Sequence, residues 1–504
     1  MTLYLKDDRF HYELENIMRM FFWRPEIKAG APEEGEDGFC FAEAGSTVIA
    51  GEELLSVEFR DGDKRLRLED TATGTAAEKE IEQKMAVLMY RVLSEVTGRK
   101  PPFGVMTGIR PAKYMADLVE NGISAADAER LFVERSLVDP AKAHLCRLTA
   151  ETGLKLRERC DDRGFSLYVS IPFCPSRCSY CSFVSKTVEK DRSMTGPYVE
   201  ALCRELSYTS AITKELGLRM QTVYIGGGTP TVLNEEELKI LTGAIEDCFG
   251  APTEGEYSVE AGRPDTITEG KLKVLKDAGV TRISINPQTA NDEVLRKVGR
   301  KHTAADIERC YELARALGFD NINADLIAGL PGDDLDSFRH SVVWAAETLK
   351  AENITVHALT LKRASFLRET ESELFSPEAP GMVDFAQEEL TGKGYVPYYM
   401  YRQKGTVESL ENTGYALPGK ECLYNLFIMD ELQSIIACGA GAVTKLKDNG
   451  RNLIERIFDM KYPQDYLQRF DEMLRRKDRI TEFYGESERN GLCRKKERMA
   501  SADI

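Results

Sequence analysis

From residue 167 onward, short β-branched runs alternate with amphipathic helical segments. Each run ends in glycine, proline or a polar residue, and a helical segment of ten or more residues follows it. The pattern recurs six times, with runs at 167–172, 222–226, 257–261, 282–286, 322–327 and 354–359. Such alternation predicts right-handed βαβ units and a parallel α/β sheet, curved into a partial barrel. A functional site is expected at the carboxyl ends of its strands.

The flanking regions follow different patterns. Before residue 165, the segments FCFAEAG, STVIAG and LLSVEF-RDGD-KRLRLED predict short antiparallel strands, and helical segments follow from about Ala76 to Leu154. After the last predicted strand the chain is mainly helical with irregular connections. We therefore predict three domains: an N-terminal α+β domain at 1–164, a barrel core at 165–370 and a mainly helical region at 371–504 that covers the substrate.

Composition limits the class of protein. The chain has 504 residues, of which 42% are hydrophobic and 30% charged, as in folded globular proteins and unlike multi-span membrane proteins. Its net charge of −16 repels polyanions, so nucleic acid is not expected as a main partner. The N-terminus has acidic residues among its first eight positions and no long apolar run, so neither a signal peptide nor a membrane span is expected there. We expect a cytoplasmic protein.

Three of the twelve cysteines are clustered. Cys174, Cys178 and Cys181 fall within eight residues, directly after the first predicted strand of the core. A structural zinc site or a closed four-iron cluster requires four protein ligands, whereas three cysteines leave one position open, as a catalytic iron–sulfur cluster needs. The alternatives are a zinc site with a distant fourth ligand and ordinary buried thiols.

Polar and glycine residues stand at the ends of the later strands. The run GGGTPT at 226–231 follows the second strand, where glycines let the backbone approach a ligand, although a plain strand-to-helix turn would use them too. Glu260, Gln288, Arg300 and Asp325 follow or end later strands. Carboxylates can accept from ribose hydroxyls or an amine, and a guanidinium can pair with a carboxylate. Each of these four residues taken alone is typical of a turn or a surface ion pair, but the four together predict one ligand-binding site.

These motifs resemble a known family. Cys-x3-Cys-x2-Cys with Tyr180 before the last cysteine resembles the signature of the radical S-adenosylmethionine (SAM) enzymes. The polar strand ends, Tyr168 and the run DLIAGLPGD resemble the oxygen-independent coproporphyrinogen III dehydrogenases over about residues 165 to 445, in a longer variant with an N-terminal extension. The resemblance implies a TIM-like partial (β/α)6 barrel and a [4Fe-4S] cluster bound by the three cysteines. Its open iron would chelate SAM, and reductive cleavage would give a 5′-deoxyadenosyl radical.

The resemblance also implies residue roles and a reaction. Two SAM molecules would bind side by side. Tyr168, Gly227 and Glu260 would contact the first, and a second set would contact the other: Tyr180, Gly228, Thr229, Gln288, Arg300 and Asp325. The substrate would be a tetrapyrrole, coproporphyrinogen III, which anaerobic heme biosynthesis converts to protoporphyrinogen IX by oxidative decarboxylation of two propionates. A low-potential electron donor such as flavodoxin or ferredoxin would reduce the cluster.

Two alternatives stay open at this point. Phe183 ends the cysteine motif as CSF, where the best-known dehydrogenases have CxC, and this ending resembles the heme-chaperone branch, whose members bind heme. The chaperones' His-Asn heme motif, however, is Tyr424-Asn425 here. The second alternative is a radical SAM methyltransferase that opens the heme ring. Lys362 and Arg363, after the last core strand, are candidates for binding propionates, with solvated surface charge as the alternative.

Overall fold

The computed structural model describes residues 1–502 except 7–8, 23, 50–51, 74–75, 182–185, 361–376, 404–408, 449 and 451–452. Side chains are not described at 45–49, 189–190 and 487–502. Phe183, Lys362 and Arg363 therefore lie outside the described residues. The chain forms two compact units, Met1–Glu151 with Tyr401–Leu410 and Thr152–Met400 with Glu411–Ile504.

The first unit is an α+β fold, as the sequence predicts. Its sheet has the order β2-β1-β3-β4-β5, in which β1 pairs in parallel with β2 and β3, and β3, β4 and β5 are antiparallel. Leu55, Val57 and Phe59 of β4 pack with Met85 and Met89 of α2 in its core. The strands are β1 (Thr2–Leu5), β2 (Glu26–Ala29), β3 (Phe39–Ile49), β4 (Glu52–Asp61) and β5 (Lys64–Thr73). The helices are α1 (His11–Phe21), α2 (Glu78–Thr97), α3 (Pro111–Glu120), α4 (Ala125–Ser136) and α5 (Pro140–Arg157), the last of which crosses the boundary between the units.

The second unit contains the predicted parallel sheet. All six predicted runs are strands, and they pair in parallel in chain order: β6, β9, β10, β11, β12 and β13. The strands are β6 (Gly164–Ile171), β7 (Phe173–Cys174), β8 (Lys186–Thr187), β9 (Arg219–Gly227), β10 (Glu256–Gly262), β11 (Arg282–Ile285), β12 (Ile322–Ala328) and β13 (Asn353–Ala358). The helices are α6 (Val188–Asp191), α7 (Thr195–Glu215), α8 (Glu235–Phe249), α9 (Glu269–Asp277), α10 (Asp292–Lys297), α11 (Ala304–Ala316) and α12 (Leu335–Glu347), with short 3₁₀ turns at Arg192–Met194, Pro230–Val232 and Pro264–Thr266.

The C-terminal region contributes strands that its helical pattern did not indicate. β16 pairs in parallel with β6, and β15 pairs antiparallel with β13, so the region extends the core sheet on both sides. The predicted division at residue 370 therefore falls inside one unit. The strands are β14 (Val396–Arg402), β15 (Glu411–Ala416), β16 (Ser434–Cys438), β17 (Val443–Asp448) and β18 (Leu453–Phe458). The helices are α13 (Ala379–Gly392), α14 (Leu423–Asp430), α15 (Pro463–Gln468) and α16 (Phe470–Ala502).

A buried ion network fastens α16 to this extended sheet. Lys477 Nζ lies 3.0 Å from Glu205 Oε1 and 2.9 Å from Asp459 Oδ1, with all three side chains fully buried. The same ammonium donates to the carbonyl of Ala437 in β16 at 2.6 Å. Because a buried charge is stable only when paired, the network holds α16 against α7 and β16. Within the described part of the chain, no helix combines the length and apolarity that a bilayer crossing requires.

Candidate functional site

The three clustered cysteines lie on one loop that begins at β7. Cys178 is buried, whereas Cys174 and Cys181 are partly exposed. The backbone N–H of Cys181 donates to the carbonyl of Cys178 at 3.2 Å, so these two share a tight turn. Across the described residues, no three His, Cys, Asp or Glu side chains lie close enough together to hold a single metal ion. In a four-iron cluster each cysteine binds a different iron, so cluster ligands lie further apart than those of one ion.

The glycine run at the end of β9 is docked against the cysteine loop. The N–H of Gly228 donates to the carbonyl of Ile171 at 2.8 Å, and the N–H of Thr229 donates to that of Phe173 at 2.7 Å. A Cβ atom at Gly228 would lie 2.4 Å from the carbonyl oxygen of Phe173. The Thr229 hydroxyl also donates to Cys174 Sγ at 3.6 Å. Only glycine allows this backbone approach, so the run positions the loop as well as any ligand.

Arg300 and Tyr180 form a second group beside the loop. Arg300 is buried, and its Nε donates to Tyr180 Oη at 3.1 Å while its Nη1 donates to the carbonyl of Asn286 at 2.8 Å. Burial lowers the pKa of Arg300, but Tyr180 and Cys178 favour the cation more strongly, so its pKa lies above the ordinary value. The structure thus places a permanent positive charge next to Cys178.

Arg263, which the sequence analysis did not select, follows β10 directly and contacts the cysteine loop. It is buried and forms a bidentate pair with Asp265, at 3.0 Å from Nε and 2.9 Å from Nη2. Its Nη1 donates to the hydroxyl of Ser176 at 2.8 Å and lies 4.0 Å from Cys178 Sγ. Such donors stabilise a thiolate and tune the metal that it binds. Its only sequence signal is its position three residues after Glu260, in SVEAGRPD.

Glu260 stands beside a cluster of three tyrosine rings. The ring centroid of Tyr224 lies 4.4 Å from that of Tyr424 and 6.2 Å from that of Tyr168, and the centroids of Tyr168 and Tyr424 are 6.1 Å apart. The Tyr224 hydroxyl donates to Glu260 Oε1 at 2.7 Å. Burial raises the pKa of Glu260 to about 7, and the Tyr224 hydrogen bond only partly offsets this rise. Tyr168 and Glu260, both assigned to the first SAM by resemblance, are therefore linked through Tyr224.

Asp325 and Gln288 are joined through the backbone. Gln288 has a φ of 72°, which is unusual for a residue other than glycine, and its N–H donates to the carbonyl of Asp325 at 2.8 Å. The Asp325 Oδ1 atom accepts from Asn323 Nδ2 at 2.7 Å and lies 3.9 Å from His357 Nε2. Burial raises the pKa of Asp325, but His357 and Asn323 outweigh it, so its pKa lies below the ordinary value. Asp325 is an anion that faces Glu260, whose pKa it raises further.

The predicted residues therefore form three groups, of which the first two contact the cysteine loop. Gly228 and Thr229 lie on the Cys174 side, and Tyr180 and Arg300 lie on the Cys178 side. The third group lies on or just after the central strands: Tyr168 in β6, Gly227 at the end of β9, Glu260 in β10, Gln288 after β11 and Asp325 in β12. A three-cysteine iron–sulfur cluster requires three thiols. A nucleotide that carries an amino acid requires a glycine turn, acceptor carboxylates and a guanidinium. The residues present therefore fit both the cluster and the nucleotide.

Comparisons with known proteins identify the superfamily and the fold. A family model described as the Radical SAM superfamily matches residues 168–345. The oxygen-independent coproporphyrinogen-III oxidase-like protein HemZ of Bacillus subtilis is 34% identical over 93% of this chain and 94% of its own length. The heme chaperone HemW of Bacillus subtilis is 34% identical over 55% of this chain and 70% of its own. The structure of coproporphyrinogen III oxidase HemN from Escherichia coli matches with a TM-score of 0.50 and 25% identity, over 64% of this chain and 72% of that one.

The fold and the site define a radical SAM protein. Since the similarity to HemZ extends over almost the whole length of both chains, this chain belongs to the oxygen-independent coproporphyrinogen-III oxidase-like family of that superfamily. Radical SAM proteins use a [4Fe-4S] cluster and SAM, as the sequence predicts. The individual cluster and SAM contacts stay predictions for the residues described above.

Proposed function

We propose that this chain is a cytoplasmic enzyme that converts coproporphyrinogen III to protoporphyrinogen IX in anaerobic heme biosynthesis. The observation that carries the proposal is the docking of the glycine run against the cysteine loop, with Tyr180 and Arg300 hydrogen-bonded beside it. The chain that holds them aligns over 93% of its length with a coproporphyrinogen-III oxidase-like protein. Conversion of each propionate to a vinyl group releases one hydrogen atom, one electron and carbon dioxide, so the reaction also needs an electron acceptor.

The roles of the residues follow from their contacts. Cys174, Cys178 and Cys181 would bind the cluster. When bound, the cluster and SAM supply the one-electron chemistry that removes a hydrogen atom from unactivated carbon. Because that chemistry ionises no C–H bond, the protein needs no catalytic base there. Its own contribution is to hold the reacting groups in position and to exclude water. The fixed guanidinium of Arg300 can hold a carboxylate, and Glu260 can hold an ammonium group.

The raised pKa of Glu260 predicts pH-dependent SAM binding. Above about pH 7 the carboxylate is ionised and attracts the ammonium group of SAM, whereas below this pH it is protonated and that attraction is lost. We expect the Kd for SAM to rise about tenfold between about pH 8 and about pH 6, since one tenth of the carboxyl remains ionised one unit below its pKa. Calorimetric titration of anaerobically reconstituted protein measures this. Glu260→Gln should bind weakly with a flat pH profile, and the wild-type profile in this variant would contradict the assignment.

The reaction itself provides the main test. Reconstituted protein, reductant, SAM and coproporphyrinogen III are incubated without oxygen, and the tetrapyrroles are analysed by mass spectrometry. The proposal predicts products that have lost one or two carboxyl groups as carbon dioxide, together with 5′-deoxyadenosine. Formation of 5′-deoxyadenosine with unchanged porphyrinogen would refute the substrate, and addition of a methyl group would indicate the methyltransferase.

A heme-carrier function is the second candidate, because HemW is 34% identical over 70% of its length. In this chain Tyr424 replaces the histidine of the chaperone motif. Its ring is buried and packs on Tyr224, which makes it a poor site for an axial heme ligand. Titration with heme under the same conditions distinguishes the two functions. Stoichiometric heme binding without porphyrinogen turnover would favour the carrier.

A further inference from the structure

Two buried cations lie beside the thiol of Cys178. The side chain of Arg263 is only 4% exposed, and its Nη1 lies 4.0 Å from Cys178 Sγ. Arg300 is buried too and interacts with the same thiol. A guanidinium group stays charged at every pH at which proteins are folded. The proposed function gives Arg300 a carboxylate to hold, but it assigns no role to Arg263.

The guanidinium group of Arg263 is held by hydrogen bonds on two sides. Its Nε and Nη2 donate to the two carboxylate oxygens of Asp265 at 3.0 and 2.9 Å, which leaves Nη1 to face the cysteine loop. Nη1 donates to the hydroxyl of Ser176 at 2.8 Å and to its carbonyl at 3.2 Å. The carbonyl of Arg263 accepts from the hydroxyl of Thr266 at 2.8 Å. Because these bonds fix the planar guanidinium, its charge keeps one position relative to Cys178.

Asp265 offsets only part of the charge that the thiol experiences. It pairs with Nε and Nη2 of Arg263, whereas Nη1 is the atom that faces Cys178. The side chain of Asp265 is 29% exposed against 4% for Arg263, so water screens the anion more than the cation. His302 adds no charge near pH 7, because burial first, and then Arg300 and Arg263, lower its pKa to about 4. The electrostatic potential at the thiol is therefore positive.

We propose that Arg263 raises the reduction potential of the cluster that Cys178 binds. In the redox step the oxidised [4Fe-4S]2+ cluster gains one electron from an external reductant and becomes [4Fe-4S]1+, and no proton or other atom is transferred. Since reduction adds one negative charge, a fixed cation beside a cluster ligand favours the reduced form. Arg263 acts through Cys178 and needs no contact with SAM or substrate. The proposal rests on the cluster assignment and is independent of the tetrapyrrole reaction.

Opposite charge changes at Arg263 and Asp265 test the proposal. Arg263→Gln removes the cation, so at a fixed potential we expect the ratio of reduced to oxidised cluster to fall at least about tenfold, which corresponds to about 59 mV for a one-electron couple. Asp265→Asn removes the anion and leaves the cation, so this ratio should rise about threefold. Electron paramagnetic resonance during a redox titration with dithionite measures the ratio in reconstituted protein. SAM and porphyrinogen are left out, so failure of the tetrapyrrole reaction would not affect the result.

Three further variants separate the effect of charge from damage to the loop. Arg263→Lys keeps the cation and should stay within about threefold of the wild-type ratio. Ser176→Ala removes one hydrogen bond of Arg263 without a change of charge, so the ratio should change less than about twofold. Arg219→Gln is the control for loss of a cation: Arg219 pairs with Asp161 through Nε at 2.8 Å and begins β9, whose other end carries the glycine run. The ratio in this variant should equal that of wild type.

The direction of the two main shifts decides the outcome. Loss of packing would move the potential in the same direction in Arg263→Gln and Asp265→Asn, whereas the proposal requires opposite directions. Shifts of the same sign, or an unchanged potential in both variants, would overturn it. If Arg263→Gln does not retain iron, Asp265→Asn and Arg263→Lys decide in its place. A fall or no change of the ratio in Asp265→Asn would then overturn the proposal, and a rise with a near wild-type ratio in Arg263→Lys would support it.

Discussion

Cys178→Ser is expected to abolish iron loading and SAM cleavage. Cys178 is the buried member of the three cysteines, and Arg263 and Arg300 both lie next to it. Two remaining thiolates cannot hold three corners of a cluster. Reconstituted wild-type protein should contain about four irons per chain and the variant close to none, with formation of 5′-deoxyadenosine lower by at least about a thousandfold. Iron analysis and chromatography of the nucleoside products measure both.

A cysteine outside the loop provides the control. Cys248 lies near the end of α8 and is partly exposed, and Cys248→Ser should retain full iron content and SAM cleavage. Cys174→Ser and Cys181→Ser should behave like Cys178→Ser. Full cluster absorbance in any of these three variants would show that the cysteine concerned is not a ligand.

Gly228→Ala is expected to damage the site without a change of charge or hydrogen-bonding groups. The new methyl group would lie 2.4 Å from the carbonyl oxygen of Phe173 and 2.9 Å from that of Ile171. Both contacts are with backbone, so the glycine run and the cysteine loop must separate. Forcing atoms into a packed site of this kind costs about 1–3 kcal/mol, and we expect weaker cluster retention and a Kd for SAM at least about tenfold higher.

Gly243→Ala is the matched control for this steric effect. Gly243 lies inside α8, and a Cβ atom there would meet nothing within 4 Å. Alanine is the better helix former by about 1 kcal/mol, so this variant should be as stable as wild type or slightly more so, with unchanged SAM binding. Thermal unfolding and SAM titration of both variants make the comparison. Equal SAM affinity in Gly228→Ala and Gly243→Ala would contradict the steric role of Gly228.

The parallel core could be predicted because its signal is local. Each of the six strands is an apolar run with turn residues at its end and a helical segment after it. β16 is also an apolar run that ends before a glycine, but an antiparallel strand follows it in place of a helical segment, so the pattern that identified the six core strands does not include it. Its place in the sheet depends on pairing with β6, far earlier in the chain. A prediction that relies on the pattern of neighbouring residues therefore did not identify the C-terminal strands.

The candidate site also has a part that the sequence predicts and a part that it does not. The cysteines and the polar strand ends could be selected from spacing and position alone. The contacts that adjust them could not, because they join residues far apart in sequence: Tyr224 to Glu260, Arg263 to the cysteine loop and Thr229 to Cys174. The positive φ of Gln288 also depends on its backbone bonds to β12, since nothing in a glutamine predicts that conformation.

We propose that the three cysteines leave one iron of a cluster open for SAM. Electron paramagnetic resonance and electron–nuclear double resonance of the anaerobically reduced protein test this directly, with SAM labelled at its amino nitrogen and carboxylate oxygen. We expect the signal of a reduced [4Fe-4S] cluster that changes on addition of SAM, with hyperfine coupling to both labels. A zinc-loaded protein without that signal, or a cluster signal that SAM leaves unchanged, would contradict it.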